Sequence, residues 1–384
     1  MNVLISSPVH WWNAEAAYAA VLAEVLGQHG HKVWVLTRPD TLNHAELEAR
    51  GLPLLTDIPL WERHPLRLWR AIRALRAFQA LESIQIVNVF RSRDLPWHLL
   101  AARGKDAPRL VRTRGGAMPI RGHWLNRKLY RDGCDGLIAS SEVVRRAMTA
   151  SLGSAAEGAR TIYYPIDLPA LSNAAEERVA RETWRKALLA ELGLPGDTLL
   201  LGMVGRVYPE KGHRELLQAL AALAPRFPRL ALLVLDKQVD DPAAHGRQLR
   251  ELEASLGLSS RVRWLGHRPD VREVMGAVDI GVVPSLASEV NCRVTVEFFS
   301  MGTPVVAFPT GALPEVVEHG RTGLVTANHH PAGLAEALAA LIEDAGLRGR
   351  LGRQARAAAE TRFSRDRFLA ETLAVYEKAM ASKE

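Results

Sequence analysis

What most restricts the fold of this chain is an alternation: a short apolar run, a turn, an amphipathic stretch, then another short apolar run. In the first half the apolar runs are Asn2–Ser6, Lys32–Thr37, Ile84–Phe90, Arg109–Arg114 and Gly136–Ser140. Helical patterns cover Ala14–Gln28, Leu66–Leu81, Pro96–Arg103 and Glu142–Ala150. In the second half the apolar runs are Leu199–Gly205, Ala231–Leu235, Val262–Leu265, Ile280–Pro284, Thr303–Phe308 and Gly323–Val325, again with helices between them. Strands joined through helices pair in parallel, and a parallel sheet needs helices on both faces. The class is α/β. At 384 residues the chain is long enough for two such sheets. The extended stretch Ile162–Pro169 and a charged helix over about Ala174–Leu192 separate the halves. The organisation expected is a first domain over 1–170, a linker and helix over 171–195, a second domain over 196–362, and a final amphipathic helix over 363–384 with Ser364 as its N-cap.

The second half carries the chemistry. Glu289 and Glu297 bracket the run Glu289–Glu297, followed at once by Phe298–Ala307, which includes Gly302 and Pro304. Read as a short helix ended by glycine, the eight-residue spacing places the carboxylates within roughly 80° of each other at about 100° per residue. One carboxylate then lies near the helix N-terminus, where backbone N–H groups favour an anion. Upstream, the strand ending in Gly205 leads into a basic turn with Arg206 and Lys211, then a helix from about Arg214. Strand carboxyl ends are where open α/β sheets bind ligands. Cations, carboxylates and a helix tip together suit a ligand with both phosphate and hydroxyl groups, such as a nucleotide sugar.

These pieces resemble the donor domain of the retaining family 4 glycosyltransferases, which have the GT-B fold. The matching residues fall in order: Gly205-Arg206 to Lys211-Gly212, Pro284-Ser285, Glu289 to Glu297, Gly302 with Pro304–Ala307, Gly311 with Pro314-Glu315, and Gly320 to Val325. The resemblance implies two Rossmann-like parallel-sheet domains facing across a cleft, with the last helix crossing back to the first. It implies that Arg206 and Lys211 hold the donor diphosphate, that Glu297 holds the ribose, and that Glu289 and nearby amides contact the sugar. Gly205, Asn291, Cys292 and Arg293 complete the implied donor set, with Arg206, Lys211 and Glu289 as the catalytic residues. Where relatives carry Gly-Phe-Gly after the first glutamate, this chain has Val290-Asn291-Cys292 followed by Arg293.

The acceptor side is thinner. Trp11, Trp12 and Glu15 follow the first strand; Glu15 aligns with the glutamate of a Gly-Gly-x-Glu turn, but the glycines are missing. The two tryptophans suit stacking on a sugar or contact with lipid, and equally a plug in the core. Arg91, Arg114 and Gly115 end later strands and point to an anionic acceptor or leaving phosphate, while Asn88 and Phe90 stand where relatives carry histidines. His98 reads as structural. Residues 1–170 hold 22 Lys and Arg against 15 Asp and Glu, so the whole net charge of +7 lies there. Arg63, Arg67, Arg70, Arg73 and Arg76 form a helical stripe opposite Leu68, Ile72 and Leu75, suited to an anionic membrane or simply to water. No helix-turn-helix or RNA-binding motif accompanies these arginines, so nucleic acid is not expected.

Cys134 and Cys292, far apart, give no disulfide framework, and Met1–Pro8 reads as a strand rather than a signal peptide. The expected place is the cytoplasm, at the inner face of the membrane. No Asp-x-Asp pair occurs. No metal or cofactor is expected, with a nucleoside-diphosphate sugar as co-substrate. The expected reaction is metal-independent transfer of a hexose or heptose, with retained configuration, to a lipopolysaccharide core or lipid-linked saccharide. A GT-B enzyme with a soluble acceptor, an epimerase and a catalytically silent sugar-binding protein stay open as alternatives.

Overall fold

The computed structural model describes residues 1–62, 64–104, 106–168, 174–236, 243–287 and 289–381. Arg63 of the arginine stripe, residues 171–173 of the expected linker and residues 382–384 of the last segment lie outside them. The chain forms two compact units, Met1–Pro165 with Arg365–Glu384, and Ile166–Ser364.

The first unit runs β1 (Asn2–Ser6), α1 (Ala14–Gln28), β2 (Lys32–Leu36), α2 (Leu42–Ala49), β3 (Leu54–Leu55), α3 (Pro65–Leu81), β4 (Ile86–Val89), α4 (Leu95–Ala101), β5 (Arg109–Arg114), α5 (Trp124–Gly133), β6 (Gly136–Ala139), α6 (Glu142–Leu152) and β7 (Arg160–Thr161). Among the described residues its seven strands make one sheet in the order β3-β2-β1-β4-β5-β6-β7. Every pairing is parallel. Strand order reverses beside β1, so the loops after β1 and β4 diverge and open a crevice at their carboxyl ends. Right-handed crossovers put α1 and α2 on one face of the sheet and α3 to α6 on the other.

Helix α1 starts where the Asn13 side chain accepts the Ala16 N–H at 2.9 Å. Its alanine-rich body, Ala16 to Leu26, is almost wholly buried. The space that small α1 side chains leave is filled by the last helix. That helix, Arg365–Ala381, packs against α1, β5 and β6. Its Phe368 ring meets Tyr18 edge-on at 5.1 Å. Its Tyr376 hydroxyl accepts from Asn88 Nδ2 at 2.8 Å.

The second unit runs α7 (Ala174–Glu191), β8 (Leu199–Val204), α8 (His213–Leu223), β9 (Leu230–Leu235), α9 (Ala243–Ser255), β10 (Val262–Gly266), α10 (Val271–Ala277), β11 (Ile280–Val283), α11 (Arg293–Ser300), β12 (Val305–Ala307), α12 (Leu313–Val316), β13 (Gly323–Val325), α13 (Pro331–Glu343) and α14 (Ala345–Arg362); the last helix of the chain is α15. Among the described residues six strands lie in the order β10-β9-β8-β11-β12-β13, all parallel. The reversal here is between β8 and β11. Leu201, Leu232, Ile280 and Val306 from the strands meet Leu216 and Leu220 of α8 and Leu334 and Leu338 of α13 in one core. Two parallel Rossmann-like sheets, as the alternation requires, therefore build the chain. No helix among the described residues is long and apolar enough to cross a membrane.

Candidate functional site

The second unit brings the predicted donor residues to the switch point between β8 and β11. Gly205 closes β8, and a Cβ built there would meet nothing within 4 Å, which leaves room in front of its backbone. Arg206 is exposed and lies over the Tyr208 ring, 4.9 Å from its centroid. A 3-10 turn over Pro209–Lys211 leads to Gly212, whose φ is 74°. A Cβ at Gly212 would fall 1.9 Å from the Pro284 carbonyl oxygen, so only glycine lets this turn press against the loop after β11. The same two loops are joined by the Leu286 N–H, which donates to the Glu210 carbonyl at 2.8 Å.

This close approach brings two residues 78 apart in sequence into contact: the Lys211 ammonium donates to the Glu289 carboxylate. Ser285 Oγ donates to the same carboxylate oxygen at 2.8 Å. The Glu289 backbone is fixed as well. Its carbonyl accepts the Ala312 N–H at 2.7 Å. It also faces Gly311, where φ is 56° and a Cβ would stand 1.9 Å from that carbonyl oxygen.

The helical reading of the Glu289–Glu297 spacing is overturned. Helix α11 begins at Arg293, after Cys292 in the left-handed conformation with φ 46°. Glu289 therefore stands on the loop before the helix, and the eight-residue spacing is not a helical face. The left-handed residue at Cys292 breaks the helical path. The N-cap residue Cys292 gives α11 no side-chain cap, and the positive end of the helix faces this loop. Arg293 Nε donates to Glu297 Oε1 at 2.9 Å. The other carboxylate oxygen of Glu297 is buried without a partner among the described residues. Asn291 and Cys292 are buried beside it. Burial pushes the Cys292 thiol well above its usual range, Glu289 and Glu315 add to this, and Lys211 pulls it back. It is thus a protonated thiol at neutral pH and not a nucleophile.

Beyond the predicted residues, the same sheet edge carries a pocket of about 230 Å³ at the ends of β9 and β10. It is lined by Leu235, Asp236, His267, Arg268, Pro269 and Val271. Burial raises the Asp236 carboxyl, while a hydrogen bond from the Val207 backbone and the charge of Arg206 lower it. Arg268 is already held by Asp270 at 2.7 Å and Glu191 at 2.5 Å. Nothing in the local sequence marks these residues, because strand order, not a motif, places them.

In the first unit the tryptophan pair divides. Trp11 is 68% exposed. Trp12 packs half-buried against the core, with the Arg50 guanidinium 5.1 Å above its ring. Glu15, in the first turn of α1, is raised by burial and lowered by the charges of Arg112, Arg114 and Arg91, with Asp94 opposing them. Gly115 lies against it: a Cβ there would be 3.2 Å from the Glu15 Cβ. Arg91 donates to the Pro8 carbonyl at 2.9 Å. The predicted Glu15, Arg91, Arg114 and Gly115 thus converge on the carboxyl edge of the first sheet, joined there by Arg112 and Asp94. Asn88 and Phe90 face the core instead, toward Tyr376 and Tyr18. His98 is buried and bonds Ser6 Oγ at 2.8 Å, a structural role.

Residues 16–169 match the description "Glycosyltransferase Family 4", and residues 185–358 match "Glycosyl transferases group 1". The chain belongs to the family 4, group 1 glycosyltransferases. A D-inositol 3-phosphate glycosyltransferase of Corynebacterium glutamicum is 37% identical over 196 residues, 50% of this chain and 46% of that protein. The matched stretch spans about half the length of such curated relatives. Among solved structures, a glycosyltransferase from Rickettsia africae superposes with a TM-score of 0.84 at 18% identity, covering 100% of this chain and 99% of that one. Anabaena HepE in complex with UDP gives 0.81 at 22% identity, covering 97% and 100%. At such identity these two show the fold alone, and the fold is GT-B.

Proposed function

We propose that this glycosyltransferase moves a hexose or heptose from a nucleoside diphosphate to a hydroxyl of a cell-envelope saccharide, at the cytoplasmic face of the membrane, with retained configuration and without a metal ion. The observation that carries the reading is the clasp at the β8–β11 switch point. Lys211, Glu289 and Ser285 meet in front of the N-terminus of α11, and Glu297 offers a buried carboxylate oxygen with no partner among the described residues. In this reading a diphosphate enters between Arg206 and Lys211, next to the open backbone at Gly205 and the tip of α11 around Asn291, Cys292 and Arg293. The free oxygen of Glu297 accepts the ribose hydroxyls. The pocket at the ends of β9 and β10 takes the base, since neighbouring strand ends lie only about 5 Å apart. The relative whose fold this chain shares, HepE, was crystallised with UDP.

Breaking the sugar–phosphate bond leaves negative charge on the diphosphate, and preorganised cations stabilise it. Arg206, Lys211 and the helix tip supply that charge. No side chain of the clasp is a nucleophile: Glu289 is engaged by Lys211 and Ser285, and Cys292 stays protonated. The acceptor oxygen therefore bonds the anomeric carbon on the face the phosphate leaves. The carbon–oxygen bond to phosphate breaks, and the acceptor proton passes to the departing phosphate oxygen.

A phosphorylated polyol is the second reading of the acceptor. Arg91, Arg112 and Arg114 around Glu15 favour an anionic group, and relatives carry the name D-inositol 3-phosphate glycosyltransferase. Trp11, exposed beside that edge, suits a sugar or polyol face.

A thermal-shift screen over nucleoside diphosphates and their sugars tests the donor half. A ligand at 100 times its Kd adds about 2.7 kcal/mol of apparent stability. Glu297→Ala should raise the Kd of the sugar nucleotide at least ~10-fold, the worth of a charged hydrogen bond, and so cut that stabilisation to about 1.4 kcal/mol or less at the same ligand concentration. Wild-type donor affinity in Glu297→Ala would remove Glu297 from the site. Turnover unchanged by EDTA is expected, and an EDTA-sensitive rate restored by Mg²⁺ would contradict the metal-free mechanism.

A further inference from the structure

The first unit holds an apolar tip out to solvent that neither the core nor sugar transfer accounts for. It lies between β5 and the first turn of α5. Met118 is 78% exposed, Trp124 74% and Leu125 54%. The backbone beneath them is tied down. Arg114 donates to the Met118 carbonyl. The Ile120 N–H donates to Ser151 Oγ at 3.2 Å, and Asn126 Nδ2 donates to the Arg121 carbonyl at 2.7 Å. Gly122 sits so close to α6 that a Cβ there would be 2.5 Å from the Ser151 carbonyl oxygen. The chain thus spends several hydrogen bonds on a loop that keeps its apolar side chains out of the core.

The rim of the tip is basic. Arg121, Arg127 and Lys128 are all exposed. No Asp or Glu occurs from Gly115 to Arg131. The crossovers place α3 on the same face of the sheet, with α4 between. Helix α3 packs on α4, and Gly133 of α5 abuts Leu99 of α4, where a Cβ would fall 2.8 Å from Leu99 Cδ1. On α3, Leu66 and Trp69 are exposed among Arg67, Arg70 and Arg73. One face of the unit therefore presents apolar and aromatic side chains interleaved with cations on both flanking helices. That pairing matches a surface with anionic headgroups above an apolar interior.

We propose that Met118, Trp124 and Leu125 insert into the interfacial layer of an anionic lipid bilayer, with the neighbouring cations on its headgroups. The tip, not the α3 stripe, is the inserting element; the stripe adds charge. The proposal rests on the membrane placement in the proposed function and deepens it; the donor clasp lies in the other unit, so loss of vesicle binding and loss of donor binding are separate outcomes.

The test is co-sedimentation of the full chain with phosphatidylcholine vesicles with and without about 30% phosphatidylglycerol, at ~0.1 M salt where the screening length is near 10 Å. Binding to the anionic vesicles only is expected. Met118→Ser/Trp124→Ser/Leu125→Ser should weaken it at least ~10-fold with an unchanged thermal midpoint, because all three side chains are exposed. Arg67→Gln/Arg70→Gln/Arg73→Gln should keep partial binding and flatten its salt dependence. Lipids brominated near the headgroup should quench more fluorescence in the wild type than in Trp124→Phe. Wild-type binding by the triple tip variant would overturn the proposal. Equal binding to neutral vesicles, or none to anionic ones, would also overturn it. So would sedimentation velocity showing a dimer that only the tip variant dissolves, since the tip would then join two copies.

Discussion

Replacing Gly311 by alanine tests whether the Glu289 loop is locked sterically. Two costs add at this position. An L-residue in the left-handed region costs about 1–2 kcal/mol. The new Cβ would also stand 1.9 Å from the Glu289 carbonyl oxygen, where real contacts do not fall below 3.0 Å, so the Glu289 backbone must retreat by over 1 Å. That movement breaks the 2.7 Å bond from the Ala312 N–H, a loss of about 1 kcal/mol. The combined destabilisation is roughly 2–3 kcal/mol. A displacement of this size in a reacting group is worth about 100-fold in rate. Gly320→Ala is the matched control, because its φ is 74° but a Cβ there meets nothing within 4 Å. It should lose only about 1–2 kcal/mol, with normal turnover. Urea unfolding and steady-state donor turnover read both effects. Equal stability losses in the two variants, together with wild-type turnover in Gly311→Ala, would refute the steric lock.

Two buried groups, Asp94 at the N-cap of α4 and His98 within it, should pull stability in opposite directions with pH. Burial lifts the Asp94 carboxyl to about 6, with Arg91, Arg93 and Arg112 opposing it. The charged form is thus penalised in the folded state, and stability falls as pH rises from about 4 to 6. Asp94→Asn should gain up to about 3 kcal/mol at pH 7 and nothing below pH 4. Burial lowers His98 to about 3, so the folded state resists its protonation and loses stability as pH falls below 6.5. His98→Gln should remove that acid-side loss, with a limiting slope of about 1.4 kcal/mol per pH unit. Denaturation difference curves against wild type with flat pH dependence would contradict both. In α7, Arg181 donates to the Gly276 carbonyl at 3.0 Å and the Gly302 carbonyl at 2.9 Å. Arg181→Met strands both carbonyls and should cost about 2–4 kcal/mol by urea unfolding. A loss under 1 kcal/mol would mean water replaces the guanidinium.

The long elements were legible because their physics is local. Strand β5 and helix α1 end where the apolar pattern and the turn residues say they should, and β13 is bounded by glycine. The two-residue strands β3 and β7 were not legible, since two residues show no period. Helix α2 escaped because it buries only Asn43 and Leu47. Helix α5 read as a basic run because Tyr130 is its one buried side chain. At the site, residue types and order were readable but contacts were not. The Lys211–Glu289 pair depends on a glycine at 212 yielding to the Pro284 carbonyl, a fact of tertiary approach. The helical reading of Glu289 failed because a left-handed cysteine carries no hydrophobic signature. The tryptophan pair divided, one ring to the core and one to solvent, which neighbours in sequence cannot announce.

The placement of α15 has a consequence for how the protein is made. Phe368 and Tyr376 complete the packing around Tyr18 and Asn88, and Arg365 pairs with Glu24 at 2.9 Å. The ribosome delivers these residues only after the entire second unit has been synthesised. The earlier-born half must therefore wait with an open seam in its interior, while its younger neighbour has every strand it needs.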